Sequence, residues 1–202
     1  MKLSVIMPLY NQEKLFRIGL DSVPAREDIE IIVIDDGSTD NSLEEARDYQ
    51  MLSKKNIVVL HNDRNRGVAY TVNRGLDIAT GEYVVLLGSD GDYFVNLDNA
   101  FDYLTTDLVY FSLEINDGTM WGWEEYSGGS VKFMRREFIG DLRNPPLMNL
   151  EDNTFYKKLK EKNPTESVIG TDVMYKHYNY PREGSLIWQV MNGKTKRGEH
   201  VT

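Results

Sequence analysis

Glu30-Ile31-Ile32-Val33-Ile34-Asp35-Asp36-Gly37-Ser38-Thr39-Asp40 is the stretch on which the fold of this 202-residue chain turns. Four β-branched residues run without a break, then stop at two adjacent carboxylates, a glycine and a group of helix-capping residues. An unbroken Ile/Val run suits a strand covered on both faces, as in a parallel sheet. Ser38 or Asp40 can then cap a helix that runs through Leu43, Ala46 and Tyr49. A strand that feeds a helix through a short polar turn is one unit of a doubly wound sheet.

Three further apolar runs repeat the pattern on either side. Leu3–Met7, stopped by Pro8, Asn56–Leu60 and Glu82–Leu87 read as strands. Gln12–Val23, with Leu15, Ile18 and Leu20, reads as a helix that Pro24 closes. Val68, Val72, Leu76 and Ala79 recur at helical spacing, with Gly81 as the expected C-cap. After Gly91 the rhythm changes. Asn96–Leu104, Arg135–Leu142 and Asp152–Glu161 suit helices; Leu108–Glu114, Met120–Tyr126, Ser130–Phe133 and Asp172–Tyr178 suit strands. The expected fold is therefore α/β: a mostly parallel central sheet flanked by helices, with a smaller mixed sheet. Residues 1–92 and 93–202 form its two halves within one continuous domain.

Composition narrows the function. At 41% hydrophobic and 11% aromatic the chain is a folded one. Its 32 acidic and 23 basic side chains argue against wholesale coating of a nucleic acid. The charge is uneven: residues 1–129 hold 10 basic and 23 acidic side chains (−13), residues 130–202 hold 13 and 9 (+4). The basic excess, with Arg135, Arg136, Lys157, Lys158 and the 194–197 tail, suggests a half that meets phosphates. With no cysteine there is no disulfide, thiolate metal site or Cys nucleophile. The opening run reads as a core strand and not as a leader, and no stretch reaches the ~18–20 apolar residues of a membrane span. A soluble, cytoplasmic protein is expected.

Ligands of doubly wound sheets bind beyond the carboxyl ends of the strands, and those ends are polar here. The second strand ends in Asp35-Asp36-Gly37, the fourth in Gly88-Ser89-Asp90-Gly91-Asp92. Each is readable as a solvated Asp-Gly turn or as a set of acceptors for a ligand. Asp90 and Asp92 are hard oxygen donors that suit Mg²⁺ or Mn²⁺. Between them, Asn65-Arg66-Gly67 opens a polar helix start, readable as ordinary capping with close helix–sheet packing through Gly75 or as backbone N–H groups set near a ligand.

Taken together, Ser4-Val5-Ile6-Met7-Pro8-Leu9-Tyr10-Asn11, Ile32–Asp40, Asn65-Arg66-Gly67, Asn73-Arg74-Gly75-Leu76 and Ala79-Thr80-Gly81-Glu82-Tyr83 resemble the family 2 glycosyltransferases in order and spacing. The resemblance implies the Rossmann-like glycosyltransferase A-type fold and transfer from a nucleotide-sugar, UDP-linked in the first instance, with inversion. It implies that Pro8, Tyr10, Asp35 and Asp36 line the base and ribose site, with Asn73 and Ser89 on the same donor side. The family's Asp-x-Asp metal motif falls on Gly88 and Asp90, so its first carboxylate is missing; Asp90 keeps the metal position and Asp92 offers a shifted partner.

Leu150-Glu151-Asp152-Asn153 resembles the family's acidic pair at the acceptor site, with Asp152 as general base and Glu151 orienting. Tyr175–Leu186 resembles the late strand and Arg-x-Gly-Ser loop, with His177 on the metal and Arg182 and Ser185 on the diphosphate. The implied cofactor is a divalent cation, Mn or Mg. The acceptor stays open among a glycan, a polymer, a protein and modified DNA, as does a partner protein. Trp121, Trp123 and Tyr126 either stack on a sugar or base or fill a strand core. Two other functions compete: a nucleotide-sugar-binding protein without catalysis, suggested by Gly88, and a sugar nucleotidyltransferase. The latter wants a Gly-rich basic loop where Pro8–Glu13 stands.

Overall fold

The computed structural model describes residues 2–115, 118–121, 131–146 and 151–177. The strands are β1 (Leu3–Leu9), β2 (Ile29–Asp35), β3 (Ile57–His61), β4 (Tyr83–Leu86), β5 (Tyr93–Val95), β6 (Leu108–Ile115), β7 (Met120–Trp121), β8 (Lys132–Arg135) and β9 (Glu166–His177). The α-helices are α1 (Phe16–Ser22), α2 (Ser42–Leu52), α3 (Val68–Ile78), α4 (Arg136–Ile139) and α5 (Glu151–Glu161). Leu97–Asp102 forms a 3₁₀ helix where an α-helix is expected from the sequence.

The strands form one sheet in the order β3-β2-β1-β4-β8-β6-β9-β5, with β7 paired to β6. β1 to β4 are mutually parallel, as their apolar runs predict. From β8 onward the sheet is mixed: β8 is antiparallel to both β4 and β6, β9 runs parallel to β6, and β5 runs antiparallel to β9. The expected mixed part is thus hydrogen-bonded onto the parallel part.

Side chains alternate across the sheet and build a core on each face. Val5, Met7 and Leu9 pack with Phe16 and Leu20 of α1 and Ala46 of α2. Ile6, Ile32 and Ile34 pack with Val72 and Leu76 of α3, Ile139 of α4 and Phe155 and Leu159 of α5. Gly75 lets α3 sit close, since a Cβ there would stand 2.5 Å from Ile6 Cγ2.

Several boundaries differ from the sequence reading for physical reasons. Pro8 lies inside β1 and does not stop it. Ile6 O accepts from Leu87 N on the β4 side, and Leu9 O accepts from Asp36 N on the β2 side. By alternation Pro8 faces β4, beyond the last β1–β4 pair at Ile6 and Leu86, where no ladder bond needs its N–H. Gly81 is not the C-cap of α3. Ala79 holds that place in extended geometry, and Gly81 packs against Ser4. β9 begins six residues earlier than expected, at Glu166, and β5, only three residues long, carries no periodic signal.

Candidate active site

β1 and β4 part after Ile6 and Leu86, while β2 flanks β1 on its other side. In doubly wound sheets the ligand crevice lies at the carboxyl ends of the strands, where the strand order reverses, which here is at the ends of β1 and β4. Its two flanks are the β2–α2 turn and the β4–β5 loop.

On the first flank Asp35 is fully buried. Its Oδ2 accepts from Gly37 N and Ser38 N, both at 3.1 Å, and stands 3.2 Å from His61 Nδ1. Its Oδ1 is buried and has no hydrogen-bond partner among the described residues. A buried acceptor left unmade costs about 1–3 kcal/mol, so this oxygen has capacity for one further donor. Asp36 is spent differently. Its Oδ1 accepts from Asn62 Nδ2 (2.7 Å) and Arg66 N (2.9 Å), and its Oδ2 from Gly67 N (2.9 Å). It fastens the loop before α3 to the end of β2. Tyr10 follows β1 and is 40% exposed, which leaves an aromatic face open. The next residue, Asn11, has φ of 51°, and its Oδ1 accepts from Thr39 N at 2.8 Å. Asn11 thereby ties the β1 end to the β2 end.

On the second flank the register of β5 on β9 does the positioning. Tyr93 pairs with Lys176, which sets Asp92 beside His177. Asp92 is 4% exposed; its Oδ2 accepts from Tyr175 Oη at 2.7 Å and stands 2.8 Å from His177 Nδ1. Tyr175 Oη in turn accepts from Gly88 N at 2.7 Å. β9 thus reaches the end of β4 although β8 and β6 lie between them in the strand order, so the sheet curls. A Cβ at Gly88 would overlap Asp92 Oδ2 and stand 3.1 Å from Asp90 Oδ1. Two carboxylates therefore converge on the space that a side chain at 88 would fill. Burial and the Asp92 charge push the Tyr175 hydroxyl well above the usual tyrosine range, so it stays protonated and donates. Carboxylate oxygens and an imidazole nitrogen are donor types that suit Mg²⁺ or Mn²⁺, ions that commonly take only one or two protein ligands beside a substrate's phosphates. Among the described residues no group of three or more His, Asp or Glu is placed to hold a metal ion by itself.

Asn73 is held by a neighbour. Its Nδ2 donates to Asn144 O (2.9 Å), and its Oδ1 accepts from Asn144 N (2.8 Å). It clamps α3 to the segment that precedes α5. Ser89 and Asp90 are partly buried in the β4–β5 loop. Glu151 and Asp152 open α5, which Phe155 and Leu159 anchor in the core. Arg182, Ser185, Trp123 and Tyr126 lie outside the described residues, and Trp121 ends β7. His61, Asn62, Asn144 and Tyr175 take part in these contacts and carry no role in the expectations drawn from the sequence. For Tyr175 a signal existed: it stands two before His177 in a strand, hence on the same face.

The chain matches the family model described as "Glycosyl transferase family 2" over residues 4–178. It is 41% identical to the uncharacterized glycosyltransferase YibD of Escherichia coli over 95 residues, 46% of this chain and 27% of that protein. It is 37% identical to a poly(ribitol-phosphate) beta-glucosyltransferase of Bacillus spizizenii over 97 residues, 46% of this chain and 15% of that protein. The chain spans less than half the length of these curated relatives. Among solved structures, S. aureus TarS 1–349 in complex with UDP-GlcNAc superposes with a TM-score of 0.77 at 26% identity, covering 92% of this chain and 60% of that one. The mannosyltransferase PcManGT of Pyrobaculum calidifontis, in complex with GDP-Man and Mn²⁺, shares the fold at a TM-score of 0.76 and 21% identity, covering 96% of this chain and 61% of that one.

Proposed function

The chain belongs to glycosyl transferase family 2, and from that premise we propose that it moves a sugar from a nucleotide-diphosphate sugar to an acceptor hydroxyl, with inversion at the anomeric carbon. One observation carries the reading. A buried Asp35 oxygen with no donor among the described residues, at the carboxyl end of β2, and the Asp90, Asp92 and His177 group, past the carboxyl end of β4, stand at the strand ends where ligands of such sheets bind.

In this reading residues 1–92 bind the donor and residues 93–202 the acceptor. Asp35 Oδ1 accepts an N–H of the base, for which uracil is well suited, and Tyr10 covers the base. The likeness to TarS, solved with UDP-GlcNAc, supports a UDP-linked donor. Pro8 and Ser89 border the donor, while Asp36 and Asn73 act by holding the loops they bond. The group formed by Asp90, Asp92 and His177 is the site for a divalent cation, Mn or Mg. When bound, that cation offsets charge on the diphosphate. Arg182 and Ser185 donate to the leaving diphosphate oxygens, a task to which Arg is suited by its forked guanidinium. Asp152 removes the acceptor hydroxyl proton and Glu151 orients the acceptor. No covalent enzyme intermediate is needed. The acceptor remains one of a glycan, a phosphate-bearing polymer, a protein or modified DNA.

The test is a panel of UDP-, GDP- and dTDP-sugars with Mn²⁺, read by thermal shift and nucleotide release. Wild type is expected to bind a UDP-sugar and release UDP. D152N is expected to bind it equally and to release nucleotide about 10²- to 10⁴-fold more slowly. If both proteins bind donor and neither releases nucleotide, the chain is a nucleotide-sugar-binding protein and the enzyme reading is wrong.

A further inference from the structure

Within the cation-facing group the geometry points to a division of labour: Asp92 and Tyr175 are positioning residues that act on the cation through His177, and Asp90 and His177 are the side chains that meet it. This rests on the reading given under Proposed function and goes beyond it by assigning each member a task.

Three observations lead there. First, Asp92 is 4% exposed, and one oxygen, Oδ2, is engaged by both Tyr175 Oη at 2.7 Å and His177 Nδ1 at 2.8 Å. A carboxylate that receives the Nδ1–H of an imidazole fixes the ring's tautomer and orientation, and makes Nε2 the nitrogen with a lone pair for a cation. Ligating histidines are commonly held this way. Second, Tyr175 is itself immobilised. It is fully buried, accepts from Gly88 N at 2.7 Å, and packs edge-on against Phe94 (5.3 Å) and His177 (5.2 Å). Its hydroxyl therefore has one placement, between the end of β4 and the Asp92 carboxylate. Third, Gly88 is the position that makes room. Any Cβ there would overlap Asp92 Oδ2. The absent carboxylate at 88 and the present one at 92 are thus alternatives for one space. The chain fills that space from the residue just before β5, with a group that faces the histidine.

The experiment is a double-mutant cycle on Mn²⁺ affinity, read by the EPR signal of free Mn²⁺, with Mn²⁺ alone and with UDP or GDP added. D92N is expected to weaken Mn²⁺ binding about tenfold, and Y175F and G88A in the same direction. The decisive prediction is non-additivity. D92N/H177A should bind Mn²⁺ no more weakly than H177A alone, whereas the D90N and H177A losses should multiply. Nucleotide affinity in EDTA should be unchanged by Y175F, a result that general loosening of the site would not produce. Should D92N fail to fold, Y175F/H177A against H177A carries the same comparison, because the phenylalanine keeps the ring packing. If the D92N and H177A losses multiply, Asp92 meets the cation directly and this inference is wrong, while the function reading stands. If wild type binds no Mn²⁺ alone or with either nucleotide, both fail.

Discussion

Gly37 shows how much one residue can settle. It has φ of 70°, and a Cβ there would overlap the Arg64 carbonyl carbon and stand 2.6 Å from Arg64 Cα and 2.7 Å from Asn65 N. The left-handed turn is required for Gly37 N and Ser38 N to reach Asp35 Oδ2, and the missing side chain is required for the loop before α3 to close over the turn. We expect G37A to cost at least about 2 kcal/mol of stability, from backbone strain and overlap together. A urea titration measures this, and a shift below about 0.5 kcal/mol would contradict it. That Asp-Gly forms a turn was legible in the sequence. That the turn is roofed by residues some 27 positions later was not, because no local pattern encodes that contact.

At the scale of elements, the amino ends of β1, β2 and β4 are tied by one buried carboxylate. Glu30 Oε1 accepts from Ser4 Oγ (2.6 Å), Thr80 N (2.6 Å), Thr80 Oγ1 (2.8 Å) and Gly81 N (3.1 Å). Burial pushes its pKa up, but the bonds from Ser4, Thr80 and Gly81 outweigh burial and hold it below the usual glutamate range. A carboxylate depressed on folding stabilises the protein above its unfolded pKa, about 4.3, and that contribution is lost as the pH falls through the folded value. E30Q is therefore expected to be about 2 kcal/mol less stable than wild type at pH 7. The gap should narrow below about pH 4. Unfolding curves from pH 3 to 7 check this; a pH-independent gap would contradict it. The sequence reading placed Glu30 at a strand start and Gly81 at a helix end. Glu30 does lie in β2, whereas Gly81 lies past the end of α3 in the turn to β4, and their shared task depends on β2, β1 and that turn being neighbours.

For the whole molecule, the charge asymmetry needs redistribution. Arg135 donates to Thr105 O at 2.7 Å, pairs with Glu82 (3.1 Å) and Asp107 (3.4 Å), and stacks on Tyr83. Arg136 Nε donates to Gly81 O at 2.7 Å. Both stand at the amino end of β4, since Arg135 pairs in register with Tyr83, away from the strand-end crevice. These two arginines therefore brace the sheet, and we expect them to play no part in meeting an acceptor. Lys157 and Lys158, exposed on α5, remain available. We expect R135Q to cost about 1 kcal/mol in stability and to leave the salt dependence of turnover unchanged. K157Q/K158Q should leave stability within about 0.5 kcal/mol and flatten that salt dependence. Thermal melts and turnover between low and high salt separate the two; the reverse pattern would overturn the assignment. Among the described residues no helix is long and apolar enough to cross a membrane.

The sequence by itself determined the alternation of strands and helices in the first half, the parallel character of β1 to β4, and the polar strand ends where the crevice lies. Each is written in short-range periodicity and in turn chemistry, which act over a few residues. It also placed Asp90, Asp92 and His177 in one group through family likeness. Only the tertiary structure decided which atoms of that group face one another. The curl of the sheet brings Tyr175 to Gly88, 87 positions apart, and the β5–β9 register brings Asp92 to His177. Asn144 reaches Asn73 across 71 positions by the same kind of long-range packing. Such meetings follow from strand order and register, which many distant residues set jointly and no single window of the chain contains.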